Sequence, residues 1–190
     1  VPLAPTAATA ATVVFDGTIY AGGLNKGGTL TLQVPAVAID GAAGTITTDS
    51  TTGTLTLPTS FFTQGFSSYK LTSTYGGVTV TAGTTLTLAQ QNYLTSGATV
   101  LPATGASIRD FAALGYAADG LRQPVNLSLS QTAFYNGSAG DASTTAGVVI
   151  GDGASILADP KGAIALTADG SITVLGSIVA PGGSITLTQN

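Results

Sequence analysis

Residues 170–188, GSITVLGSIVAPGGSITLT, carry three short bursts of alternating apolar and small polar residues: Ile172 and Val174, then Ile178, then Ile185 and Leu187. Gly, or Pro with Gly, separates the bursts every few residues. Each burst is too short for a helix. Alternation with a period of two is the mark of a strand with one buried face, and the Gly and Pro positions are where the backbone turns sharply.

The phrase recurs. Residues 176–188, GSIVAPGGSITLT, match residues 154–167, ASILADPKGAIALT, and both resemble residues 17–32, GTIYAGGLNKGGTLTL. In each copy a small residue and an Ile open a strand, an Ala and a Gly-containing corner follow, and a second alternating strand closes the unit. Ile156 and Ile178 lie 22 residues apart, Leu166 and Leu187 lie 21 apart, and the corner varies in length while the strands do not. A repeat of roughly 20 to 30 residues built from short strands and turns is what one coil of a parallel β-solenoid requires. The expected fold is therefore all-β, a β-helix with coils of about 21–22 residues and inward Ile, Val and Leu ladders. Wound regularly, the whole chain would make roughly eight or nine turns, about 40 Å in length.

Composition supports a β protein. The chain has 190 residues, 44% apolar, only 7% charged, with 26 Gly and no Glu. An amphipathic helix normally decorates its solvent face with charge, Glu above all, whereas Thr and Ser suit the outer face of a sheet. No shift in composition marks a domain boundary, so residues 1–190 read as a single segment. Residues 1–14, VPLAPTAATAATVV, lack an initiating Met and the basic start of a signal peptide. The expectation is a processed product or a section of a longer polypeptide, with further coils continuing at its ends.

Several function classes are disfavoured. With a net charge of −4 and five basic residues, the chain offers a phosphate backbone little to neutralise, so nucleic acid is not an expected partner. No run of about 18 apolar residues occurs, so the chain is not expected to span a membrane by a helix. Cys, His, Met and Trp are all absent, which removes disulfides, thiolate and imidazole metal sites and haem ligation. No cofactor is expected.

Along the chain, residues 7–14 read as a first strand, and residues 44–49 and 53–58 repeat the alternation across a gap that is either a corner or a hairpin turn. Residues 61–73, FFTQGFSSYKLTS, concentrate aromatics that would fill a wide coil or plug an irregularity. Residues 104–124 break the pattern: Ile108, Phe111, Ala112 and Gly115 have partial helical spacing, and both Arg residues lie here. This reads as an excursion with one short helix, closed by Pro124. Residues 136–142 read as a second loop.

The excursion supplies the candidate contact loop, Arg109, Asp110, Asp119 and Arg122, because loops leaving a rigid scaffold tend to hold binding residues. The plainer reading is that the two Arg pair with Asp110 and Asp119 or cap carbonyls. The remaining Asp residues adjoin Gly, Pro or Ser as turn residues do, although Asp16 and Asp40 are spaced to stack on adjacent coils. The TLTL and VTVT runs raise ice binding, but unequal corners would spoil a long flat Thr array.

The repeats 170–188, with GFSSYKLTSTYGGVTVTAGTTLTL at 65–88, resemble the repeat region of bacterial filamentous haemagglutinin-like exoproteins, the large partners of two-partner secretion systems; autotransporter passenger domains share the style. The resemblance implies a right-handed parallel β-helix displayed outside an outer membrane, acting in adhesion, in aggregation or as a stalk. Its repeats carry no catalytic residues, so no site transfers and no enzyme is expected. The implied function is a structural and adhesive segment of a bacterial surface or secreted filament. Its partners would be neighbouring coils or copies of itself, and host or bacterial surface glycans or proteins. Two alternatives stand beside it, an extracellular fibre subunit stacking end to end and a carbohydrate-active β-helix enzyme, lyase or hydrolase.

Overall fold

Strand formation follows the alternation of the sequence. In residues 163–168, AIALTA, Ile164, Leu166 and Ala168 are buried and the intervening residues are half-exposed. A computed structural model describes residues 13–14, 17–95, 103–132 and 146–190. In chain order the strands are β1 (Thr29–Asp40), β2 (Thr47–Thr48), β3 (Thr54–Pro58), β4 (Ser68–Val80), β5 (Thr85–Leu88), β6 (Asn92–Thr95), β7 (Ala112–Gly115), β8 (Asn126–Gln131), β9 (Gly147–Ile150), β10 (Ser155–Ala158), β11 (Ala163–Ala168), β12 (Ser171–Val174), β13 (Ser177–Val179) and β14 (Ser184–Gln189). Among the described residues the helical turns are 3-10 turns, Thr59–Thr63 and Ile108–Asp110. The protein is all-β, and its pairing is dominated by parallel strands.

Three parallel ladders organise the chain. The first stacks β1, β4, β8, β11 and β14, placing Leu32, Leu71, Leu129, Leu166 and Leu187 in one column. The second runs from β3 through the later halves of β1 and β4 to β9 and β12, with Leu57, Ile39, Val80, Ile150 and Val174 in register. The third joins β5, β10 and β13 through Leu86, Ile156 and Ile178. From β4 onward successive passes visit the ladders in the same order, as in β11 to β12 to β13 and then β14 back on the first, whereas β3 pairs with β1 on the side away from β4. The 22-residue offset from Ile156 to Ile178 and the 21-residue offset from Leu166 to Leu187 are the actual pairings.

Strands β1 and β4 each serve two ladders by bending in the middle. Strand β4 bends at Gly77, whose φ of 92° is left-handed and whose added Cβ would lie 2.6 Å from the Gly147 carbonyl oxygen. The buried Ser73 hydroxyl holds the bend, donating to the Pro35 carbonyl at 2.7 Å and accepting the Gly77 N–H at 2.8 Å. One rung further on, the Gln131 side-chain carbonyl accepts the Gly170 N–H at 2.9 Å. Backbone groups left over at the corners are thus met by short polar side chains.

Several expectations change. Among the described residues the first and second ladders have five parallel rungs each, fewer than the eight or nine of a regularly wound chain, and the β6–β7 insertion lies between two of the rungs. Residues 47–58 form an antiparallel hairpin, β2 against β3, which settles the choice between corner and turn. In the early copy of the repeat, Leu30 and Leu32 join the same columns as Ile164 and Leu166, but Ile19 lies outside any strand. The helix expected in residues 104–124 does not form. Only the 3-10 turn Ile108–Asp110 is helical, and Ala112–Gly115 becomes β7, paired antiparallel with β6, so the excursion begins near Asn92. Pairing with Asn92–Thr95 meets the backbone demand that a helix would otherwise meet. The run of residues 7–14 falls mostly outside the described residues, as do Asp16 and residues 136–142.

The aromatic group fills the core as expected. Phe61, Phe62, Phe66 and Tyr69 are buried, with Tyr69 centroids 4.9–6.2 Å from the three Phe rings. Ice binding loses its geometric basis, since the outward column of the first ladder reads Thr31, Lys70, Ser128, Ala165, Thr186. No helix of the described residues is long and apolar enough to cross a membrane.

The ladder positions make two predictions. Leu166 is 0% exposed and Leu187, its partner in the last rung, is 54% exposed. Leu166→Asp should therefore lower stability by several kcal/mol, roughly 3 or more, since an unpaired carboxylate enters the stack. Leu187→Asp, which the sequence pattern alone would rank as equally damaging, should cost under about 1 kcal/mol in this chain; urea unfolding of both variants measures the difference. Burial, the largest cause, pushes the Tyr69 phenol well above its ordinary range. Its contribution to stability is complete below about pH 10 and is lost as pH rises beyond that. The melting temperature should fall more between pH 8 and pH 11 in the native chain than in Tyr69→Phe.

Candidate functional site

The four residues of the predicted contact loop do not converge. Asp110 caps the 3-10 turn: its carboxylate accepts the Ser107 N–H at 2.9 Å, while the Ser107 hydroxyl accepts the Arg109 N–H at 3.4 Å. Arg122 points the other way. Its Nε donates to Asp159 Oδ2 at 2.6 Å, Nη2 donates to Asp159 Oδ1, and Nη1 donates to the Ala117 carbonyl at 2.7 Å. Asp119 joins from the solvent side, 2.7 Å from Nη2.

This bidentate pair is enclosed, with the Arg122 and Asp159 side chains only 12% and 8% exposed. Hydrogen bonding to Asp159 is the main cause that raises the Arg122 pKa, holding the guanidinium protonated. Asp159 sits at the corner after β10, so the pair fastens the end of the excursion to the third ladder. Arg122 thus pairs with Asp119 as in the plainer reading, and with Asp159 besides, whereas Arg109 and Asp110 bond to Tyr93 and Ser107.

Arg109 is exposed and meets an aromatic pair instead of a carboxylate. Its Nε donates to Tyr93 Oη at 3.1 Å. The Tyr93 ring stands edge-on to Tyr20, with centroids 6.2 Å apart and planes at 79°. These groups line a cleft of about 570 Å³ together with Thr18, Thr63, Gln64, Gln91 and Leu114. A second cleft, about 520 Å³, meets it at Thr18 and Gln64 and is walled by Ile46, Pro58 and Phe61.

Four separate regions of the chain build this place. The segment around Tyr20 is tied down by the Ala21 N–H donating to the Gln64 carbonyl at 3.1 Å, and by the Tyr93 N–H donating to the Gly23 carbonyl at 3.1 Å. The buried Gln90 amide donates to the Gly65 carbonyl at 2.9 Å. The Tyr20 ring lies against Gly22 and Gly65; a Cβ at Gly22 would meet Tyr20 Oη at 2.0 Å, so only Gly leaves room. Burial raises the Tyr20 pKa most, the neighbouring Tyr93 adds to it, and the Arg109 charge opposes it. Tyr20 Oη itself is buried with no partner that meets hydrogen-bonding geometry among the described residues.

The cleft lining includes no Asp, and among the described residues no group of three or more Asp side chains is placed to hold a metal ion. Asp40 and Asp49 act locally at turns: Asp40 accepts the Ala42 N–H and Asp49 the Thr51 N–H. Compared with known proteins, the chain matches no family model, no curated protein and no solved structure.

Sequence reasoning singled out Arg109 but missed Tyr20, Gln64, Gln91 and Tyr93. One signal was available. In the aligned copies GTIY, ASIL and GSIV, a phenol stands at position 20 where the others carry Leu157 and Val179. Arg122→Ala should leave Asp159 enclosed without its partner and cost about 3 kcal/mol, the low end for such pairs because the Asp119 side stays in water. Chemical unfolding measures this loss, and Asp119→Ala should cost under about 0.5 kcal/mol.

Proposed function

We propose that the chain is a segment of a right-handed parallel β-solenoid, serving as a structural and adhesive part of a bacterial surface or secreted filament. The observation that supports this most is the last pass of the chain. Ile185 and Leu187 stand in register with the buried Ile164 and Leu166, yet are 46% and 54% exposed, and Val174, Leu175 and Val179 are exposed beside them. Among the described residues no strand pairs with the free edge of β14.

A free parallel edge next to an uncovered apolar column is a template for one more rung of the same kind. The rung would come from a later coil of the same polypeptide or from another copy, and the end-to-end fibre alternative differs only in that choice. Stacking at about 4.8 Å per rung yields a rod whose length grows with each coil. Repeated Ser and Thr faces and the excursion provide its contact surfaces outside the cell. The resemblance of residues 170–188 to filamentous haemagglutinin-like repeats points to the same place and work. A carbohydrate-cleaving site would need several converging carboxylates, which the cleft lining lacks.

Gold-labelled antibodies against the chain should decorate intact, unpermeabilised cells or filaments released from them. Labelling seen only after the cells are opened would overturn the reading.

A further inference from the structure

The cleft beside Arg109 brings aromatic, amide and cationic residues together. Tyr20 and Tyr93 give it aromatic walls, Gln64 and Gln91 bring two primary amides, and Arg109 brings a guanidinium. Amides both donate and accept, which matches the vicinal hydroxyls of a sugar, and the face of an aromatic ring takes the C–H face of a pyranose. A volume of about 570 Å³ lies within the range of small-ligand sites and suits one or two sugar units.

The charge narrows the ligand. Arg109 spends its Nε on Tyr93 Oη at 3.1 Å, which sets the plane of the guanidinium and leaves the terminal Nη donors for another partner. Among the described residues Arg109 has no ion pair, in contrast to Arg122. A carboxylate accepts two parallel N–H bonds from such a group. A densely charged polyanion fits poorly, because the whole chain carries a net charge of −4. One carboxylate among neutral hydroxyls fits best.

We propose that the Tyr20–Tyr93–Arg109 cleft binds a single acidic sugar, a uronic acid unit of an otherwise neutral glycan, with Arg109 on the carboxylate and the two Tyr and two Gln on the ring. This deepens the adhesive reading by naming a contact point, and its test needs neither cells nor filaments. A failure here therefore leaves the antibody result standing, and the reverse holds too.

The test is titration of the purified full chain, followed by NMR or calorimetry, with methyl glucuronide, methyl glucoside and a short peptide ending in a free carboxylate. Methyl glucuronide should bind at least about tenfold more tightly than either of the others, since each lacks one half of the recognised pattern. Arg109→Gln, an exposed substitution that leaves Tyr93 in place, should erase that preference. Gln91→Ala should weaken both sugars. Tyr93 is buried and its loss threatens the β6–β7 pair, so Tyr93→Phe is the informative change there; it should weaken glucuronide binding several-fold by freeing Arg109. The proposal is overturned by absence of glucuronide binding, by a preference unchanged in Arg109→Gln, or by equal binding of the peptide.

Discussion

Parallel pairing of like residues is the constraint on which everything else depends. A parallel strand cannot be reached by a tight hairpin, so each rung requires the chain to travel round and return. Once it returns in register, Leu meets Leu and Ile meets Ile, as in the column Leu32, Leu71, Leu129, Leu166 and Leu187. The interior members of that column are fully or almost fully buried. Each rung thus shields the one before it and exposes its own far side. In the last rung that far side is open, and Ile185 and Leu187 are exposed.

The corners carry the variation that the ladders forbid. A register slip of one residue would turn every inward Leu outward, so strands stay short and regular. Between strands the chain is free to lengthen, and it does so after β1 and after β5. The longer of these insertions folds on itself as the β6–β7 pair and is then riveted to the β10 corner by Arg122 and Asp159. One Arg is committed to this anchor, and the other, Arg109, donates to Tyr93 at the far side of the excursion. The cleft is therefore a product of the insertion and of the turn Thr59–Thr63, with the regular ladders serving as its support.

Much of the strand architecture was legible in residues 154–188, where alternation, corner residues and a repeat of 21–22 residues coincide with the true pairings. The resemblance of residues 17–32 was half legible: its second strand joins the expected column, while Ile19 and Tyr20 leave the pattern to wall the cleft. The excursion misled in the opposite sense. The spacing of Ile108, Phe111, Ala112 and Gly115 suggested a helix, but NYLT at 92–95 offered a strand partner, and the pairing of distant segments overrode a weak local preference. Leu187 shows the limit of pattern reading at a single position. Its place in the ladder was evident, but its exposure depends on whether another rung covers it.

The sequence by itself determined the local conformation and the period: short strands, sharp Gly and Pro corners, and inward Ile and Leu at fixed offsets. These are properties of near neighbours and of repetition, and they survive in one dimension. Only the tertiary structure decided the number of rungs, the antiparallel insertion, the partner of each Arg and the meeting of Tyr20, Gln64, Gln91, Tyr93 and Arg109. Those residues approach from four parts of the chain with no common spacing, so no periodicity records them. They meet because backbone hydrogen bonds from Ala21 to Gln64 and from Tyr93 to Gly23 draw irregular segments together over a scaffold whose shape the ladders had already set.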